Sequence, residues 1–262
     1  MLQVKYPIYI ISKGRYDNPI TAKHFLKANI DFKIAVEPQE YEQYCKKLNQ
    51  HHVLKLPFSN LGLGSYPARN FCWDHSIKLG YKKHFIFDDN IYGFVTIKKE
   101  KIYKRVKCEV LPALDTLIKF DEKFKNIAIS GYNYRTFARN VKKPFYLNCH
   151  VYSGMLITNE IPFRWRLKYN EDVDLCLQAL DTKYWCTVLL NAYLLEKTST
   201  TSKMKGGNQT ELYQNNDPKK KLLKTRMLEK IWPQYVKSII RFKRYHHYVN
   251  WKKHFKQPLI KV

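Results

Sequence analysis

Two short acidic runs carry the residue types best suited to chemistry. Asp88-Asp89-Asn90 closes an apolar stretch, and Tyr169-Asn170-Glu171-Asp172-Val173-Asp174 precedes another. Two carboxylates at the end of a strand supply the oxygen ligands that Mg2+ or Mn2+ takes when held jointly with substrate phosphates. The same residues also suit a plain strand-to-turn cap, because Asp and Asn favour turns in any protein. The second run has a structural reading too, since acids at a helix N-terminus are stabilised by the helix dipole. His150, in LNCHVYSG, is a further candidate for an acceptor or metal contact, although a lone His in a strand is more often structural.

The elements that must position these groups alternate in the first half of the chain. Strands are predicted over 6–12, 32–36, 52–56 and 84–87. Helices are predicted over 18–29, 38–49 and 67–79, the first with Asn18 as its cap and Pro19 at its first position. This alternation predicts a parallel sheet with right-handed crossovers, whose ligands sit beyond the carboxyl ends of the strands. Those ends hold Ser12 to Arg15, Glu37, the loop 57–65 and Asp88 to Asn90. The second half reads as a hairpin over 91–107, a helix over 109–120, strands over 126–131 and 145–158, a helix over 171–180 and a strand over 184–190. A polar loop covers 197–208, and the tail reads as helical over 219–230 and again over 234–248.

Composition narrows the class. Over 262 residues, 47 Lys+Arg against 22 Asp+Glu give a formal charge of +25, and hydrophobic residues at 45% exclude a disordered chain. No apolar run approaches the roughly 20 residues of a spanning helix, so no membrane partner is expected, and the N-terminus reads as a strand rather than a signal peptide. Six scattered cysteines without a CxxC pair read as reduced thiols of a cytoplasmic protein. Between 218 and 256, thirteen Lys+Arg face the single acid Glu229. Such an excess favours a polyanion, because each phosphate neutralised releases counterions.

The stretch ARNFCWDHSIKLGYKKHFIFDDN resembles the "ARN … G … DDD" signature of GT-A glycosyltransferases. ISKGRYDN, AVEPQEYEQY, LGLGSYPARNFCWDHS, FDDNI and NEDVDLCLQ together resemble, more particularly, the TET-associated glycosyltransferases, which bacteriophages largely encode and which attach sugars to hydroxylated pyrimidines in DNA. The resemblance implies a GT-A-like, Rossmann-type α/β fold with a mixed, mainly parallel central sheet. Its domain would cover 1–210, with a nucleotide-sugar half to about 92, followed by a basic helical extension over 211–262. It implies a UDP-sugar donor, UDP-glucose by family default, with Mn2+ or Mg2+ on Asp88 and Asp89. Asn90 departs from the family pattern by replacing its third acid.

Further roles follow from the resemblance. In inverting members one carboxylate of the "ED" pair is the general base, which points to Asp172 with Glu171 as its rival. Donor contacts fall to Ser12, Arg15, Glu37, Arg69, Asn70 and Asp88. Lys203 and Lys205 lie in a 198–208 segment resembling the family's lid. Double-stranded DNA would be held by Lys219, Lys220, Lys221, Arg241, Lys243 and Arg244, with Arg164, Trp165 and Arg166 placed for phosphate contact or base stacking. Two other classes stay open: a divalent-metal nuclease built on the same acids, and an inactive DNA-binding protein of glycosyltransferase origin. Oligomeric state is not legible in the sequence.

Overall fold

The computed structural model describes residues 2–99, 103–138, 143–198, 206–207, 218–241 and 243–262. The first half follows the predicted alternation closely: β1 (Ile8–Ile11), α1 (Ile20–Lys27), β2 (Lys33–Val36), α2 (Tyr41–Lys47), β3 (Val53–Lys55), α3 (Tyr66–Lys78) and β4 (Lys83–Asp88). Strands β3, β2, β1 and β4 lie side by side, all parallel. The second half adds β5 (Ile91–Lys99), β6 (Tyr103–Cys108), α4 (Val110–Asp121), β7 (Ile127–Tyr134), β8 (Phe145–Leu147), β9 (Gly154–Thr158), α5 (Glu171–Asp181) and β10 (Cys186–Lys197). The described sheet runs β3-β2-β1-β4-β9-β7-β10-β5-β6, and β8 pairs with β10. β9 is antiparallel to both β4 and β7, whereas β10 is parallel to β7. This is the mixed α/β architecture with a largely parallel central sheet that the sequence predicts.

Alternation along the strands builds a core on each face of the sheet. Ile8, Ile10, Phe85 and Phe87 join the α1 and α4 side, with Phe25, Leu114 and Leu117. Tyr9 and Ile86 point the other way, to Cys72 and Trp73 of α3 and to Leu175 and Cys176 of α5. α4 buries Val110, Ala113, Leu114, Leu117 and Ile118, the spacing of one helical face. Among the described residues no helix is long and apolar enough to cross a membrane.

Several local expectations are corrected. α1 starts at Ile20, with Pro19 as its cap and no side-chain capping bond; Asn18 Oδ1 instead accepts from Lys23 Nζ at 3.1 Å. The predicted strand over 145–158 is two strands, separated by a segment in which Asn148 and Ser153 take positive φ.

The largest correction concerns the tail. α6 (Pro218–Ile231) is the expected helix, but β11 (Val236–Arg241) and β12 (Arg244–Val249) form an antiparallel hairpin, followed by a short α7 (Trp251–His254). VKSIIR and RYHHYV are rich in β-branched and aromatic residues, whose packing preference outweighs a charge-based helical reading. Lys243 turns the hairpin at φ 57°. The tail is not detached: Leu228, Trp232, Val236, Val249 and Phe255 share a core with Val173, Leu177 and Leu180 of α5.

Candidate active site

The strand ends converge as the parallel half predicts. β4 delivers Asp88 and Asp89, and β1 runs into Ser12 and the Lys13-Gly14-Arg15 turn. Asp89 is 5% exposed, accepts from Ser12 Oγ at 2.7 Å, and is ion-paired with Arg15. Asp88 accepts from Arg69 Nη2 at 2.8 Å, Lys197 Nζ at 2.7 Å and Ser153 Oγ at 2.6 Å. Burial alone would raise the Asp88 carboxyl, but Lys197 and then Arg69 overcome it and hold the group well below the usual carboxylate range. Burial raises Asp89, and Arg15 and Ser12 oppose that only in part.

Lys197 falls outside the strand that the sequence predicts over 184–190. β10 continues to Lys197 through a register irregularity between Leu190 and Leu194. The signal that could have found it is NAYLLEK: extending the strand through that segment applies the strand-end rule to its last residue. Lys197 also donates to Tyr134 Oη at 3.1 Å and to Ser153 Oγ at 2.7 Å.

Arg69 sits in the first turns of α3, where Pro67 fits the helix start. It is 6% exposed, and its guanidinium lies 4.8 Å from the Trp165 ring centre. Its Nε donates to Ser65 Oγ at 3.1 Å and stands 3.8 Å from Glu171 Oε1. Arg69 thus joins the β4 acids to the α5 acids. Its Nη1 is buried with no hydrogen-bond partner among the described residues.

α5 opens on Asn170 in the left-handed region, followed by Glu171 and Asp172 in the first turn, where the dipole favours negative charge. Glu171 accepts from Ser65 Oγ at 2.7 Å. Asp172 Oδ2 lies 2.9 Å from His150 Nε2. His150 stacks near-parallel on Trp251 of α7, with ring centres 6.3 Å apart. Burial raises the Glu171 carboxyl, opposed by Arg69 and reinforced by the charge of Asp172. Burial pushes Asp172 the same way, but His150 and the Val173 amide bring it below the usual range. The two neighbouring acids are therefore driven apart, as paired catalytic groups commonly are.

Other predicted site residues have structural engagements. Glu37 accepts from Lys13 Nζ at 2.9 Å and from the Asn60 amide at 3.0 Å, which ties the 57–65 loop to β2. Asn70 bonds the backbone of Trp165 in both directions, at 2.8 and 3.1 Å, so its amide holds that loop rather than a nucleotide. Trp165 is 1% exposed and cannot stack on a base, which corrects the expectation drawn from its flanking arginines. Arg164 donates to the Ile161 and Phe163 carbonyls, and Arg166 grips buried Asp174 with two bonds of 3.0 Å. Arg241, Lys243 and Arg244 stand exposed at the hairpin tip. Lys219, Lys220 and Lys221 fall in the first turn of α6, but their side chains, like all of Lys203 and Lys205, lie outside the described residues.

The acids do not fit the divalent ion expected of them. Each of the four carboxylate oxygens of Asp88 and Asp89 already faces a cation or a hydroxyl, and three side-chain cations are paired with these two acids. Among the described residues, Asp31, His51 and His52 are close enough together to share an ion. His52 Nδ1 donates to the Phe32 carbonyl at 3.0 Å, so that nitrogen has no lone pair to give, whereas the buried Nε2 keeps one.

Comparison with known proteins places the chain among relatives. A family model described as TET-Associated Glycosyltransferase matches residues 6–207. Among solved structures, the chain is similar to a protein described as a putative nucleotide-diphospho-sugar transferase from Desulfovibrio desulfuricans G20. Identity is 13%, coverage is 81% of this chain and 95% of that one, and the TM-score is 0.39. No match was found among curated proteins.

Proposed function

The chain belongs to the TET-associated glycosyltransferase family, and from that premise we propose that it moves a sugar from a UDP-sugar to the hydroxyl of a modified pyrimidine in double-stranded DNA. UDP-glucose is the first donor to try, and 5-hydroxymethylcytosine the first acceptor. A phage-encoded enzyme of this kind works in the host cytoplasm.

The observation that carries the reading is the position of Arg69, 2.8 Å from Asp88 and 3.8 Å from Glu171. A single buried cation spans the row of strand ends and the acids of α5. In the reaction the acceptor oxygen forms a bond to the anomeric carbon as the bond from that carbon to the diphosphate breaks. The acceptor's proton passes to a carboxylate, and the departing negative charge needs cations. Asp172, with 30% of its side chain exposed against 13% for Glu171, is the more accessible base, and His150 Nε2 stands 2.9 Å from its Oδ2. Arg69, Lys197 and Arg15 supply positive charge for the leaving group.

The major groove displays the hydroxymethyl group of a modified cytosine, and the basic tail supplies non-specific phosphate contacts. Labelled UDP-glucose incubated with duplexes containing either cytosine or 5-hydroxymethylcytosine tests the proposal. Label passes only to the modified duplex. Shortened DNA without label would instead indicate a nuclease.

A further inference from the structure

We propose that Lys197, together with Arg69 and Arg15, neutralises the diphosphate of the donor in the place a divalent ion would take, so that the nucleotide binds and leaves without metal. The inference deepens the donor reading above and rests on it.

The charge balance at the strand ends supports this. Three side-chain cations face the two carboxylates of Asp88 and Asp89. A divalent ion added there meets repulsion from all three, in a buried setting where screening is weak. The two carboxylates offset two of those charges, and the positive charge that remains among these five groups favours a diphosphate over a divalent ion. The site also holds an unused donor, because Arg69 Nη1 is buried without a partner among the described residues. An unmet buried N–H is costly, and a phosphate oxygen satisfies it with a charge-assisted bond.

Lys197 contributes charge and exchangeable protons. Of its three bonds, only that to Asp88 is ionic; the others go to the neutral hydroxyls of Tyr134 and Ser153. Those two can give way to phosphate oxygens while the ion pair with Asp88 keeps the ammonium in place. Asp88 then positions a cation and does not coordinate one. This assignment also explains how Asn90 can stand where the family pattern has a third acid, since no ion requires that ligand.

Calorimetric titration of the full chain with UDP and with uridine, each in excess EDTA and in excess Mn2+, tests the inference. UDP is expected to bind equally well in both buffers. Lys197→Met should weaken UDP about ten- to a hundredfold and leave uridine unchanged, the loss of one charge-assisted bond. Lys197→Arg, which keeps the charge, should restore most of the affinity, separating a binding role from a folding defect. In Lys197→Ala, Asp88 keeps Arg69 and Ser153 and loses only the ammonium, so UDP should weaken there as in Lys197→Met. Binding of UDP by the unaltered protein only in Mn2+, or unchanged UDP affinity in Lys197→Met, overturns the inference but leaves the donor reading standing. Failure of UDP and uridine to bind in either buffer overturns both.

Discussion

At the scale of single residues, the site rests on two acids driven in opposite directions by their neighbours. Asp172 is held ionised by His150, and Glu171 is held up by burial. Asp172→Asn should therefore lower the transfer rate by about 10²–10⁴, the usual contribution of a general base, while retention on DNA is unchanged in a gel shift. If Glu171→Gln causes the larger loss, the two roles are reversed. Much of this site is legible in the sequence, because Asp88, Arg69, Glu171 and Asp172 all stand at strand ends or helix starts that the sequence marks. Lys197 is hidden by a strand that runs past its apolar core into a polar NAYLLEK segment. Trp165 misleads for the opposite reason: its two flanking arginines do lie at the surface, bonded to carbonyls and Asp174, but the indole between them is buried.

At the scale of elements, two joints hold the site in shape. The first lies between the Lys13-Gly14 turn and Gly206-Gly207. The Gly207 amide donates to the Lys13 carbonyl at 2.7 Å, and a Cβ on Gly206 would come within 2.5 Å of the Gly14 carbonyl oxygen. Gly206 also has φ +84°, which disfavours any side chain. Gly206→Ala should therefore cost about 1–3 kcal/mol, read as a lower urea midpoint, and should weaken donor binding by displacing the turn that carries Arg15. The second joint docks the tail on α5, where Trp232 Nε1 donates to Asp174 Oδ1 at 2.7 Å. Trp232→Ala should cost about 3–5 kcal/mol in the same measurement, since it empties packed volume and strips a partner from a buried carboxylate. The four parallel strands are readable because each is a short apolar run bounded by turn residues. The hairpin is not, because its Lys and Arg residues draw the eye away from its Val, Ile and Tyr alternation.

At the scale of the whole molecule, charge and pH make separate predictions. Arg241, Lys243 and Arg244 sit together at the hairpin tip, so replacing all three by Ala should weaken DNA binding evenly across sequences. The slope of log affinity against log salt should become shallower by about 0.9 for each phosphate that is no longer neutralised. Burial pushes the His84 imidazole in β4 down to about 4. The unfolded chain takes up this proton near pH 6.5 and the folded protein only near 4, so stability declines as pH falls through that window. The urea midpoint should track that decline, with a shallower slope in His84→Gln. Sugar transfer to a hydroxylated base in DNA underlies the roles proposed for the site and the tail. The most direct measurement is the transfer of labelled glucose from UDP-glucose to matched duplexes differing only in cytosine or 5-hydroxymethylcytosine. Label is expected in the 5-hydroxymethylcytosine duplex alone and is lost in Asp172→Asn; equal label in both duplexes, or none in either, contradicts transfer to the hydroxylated base.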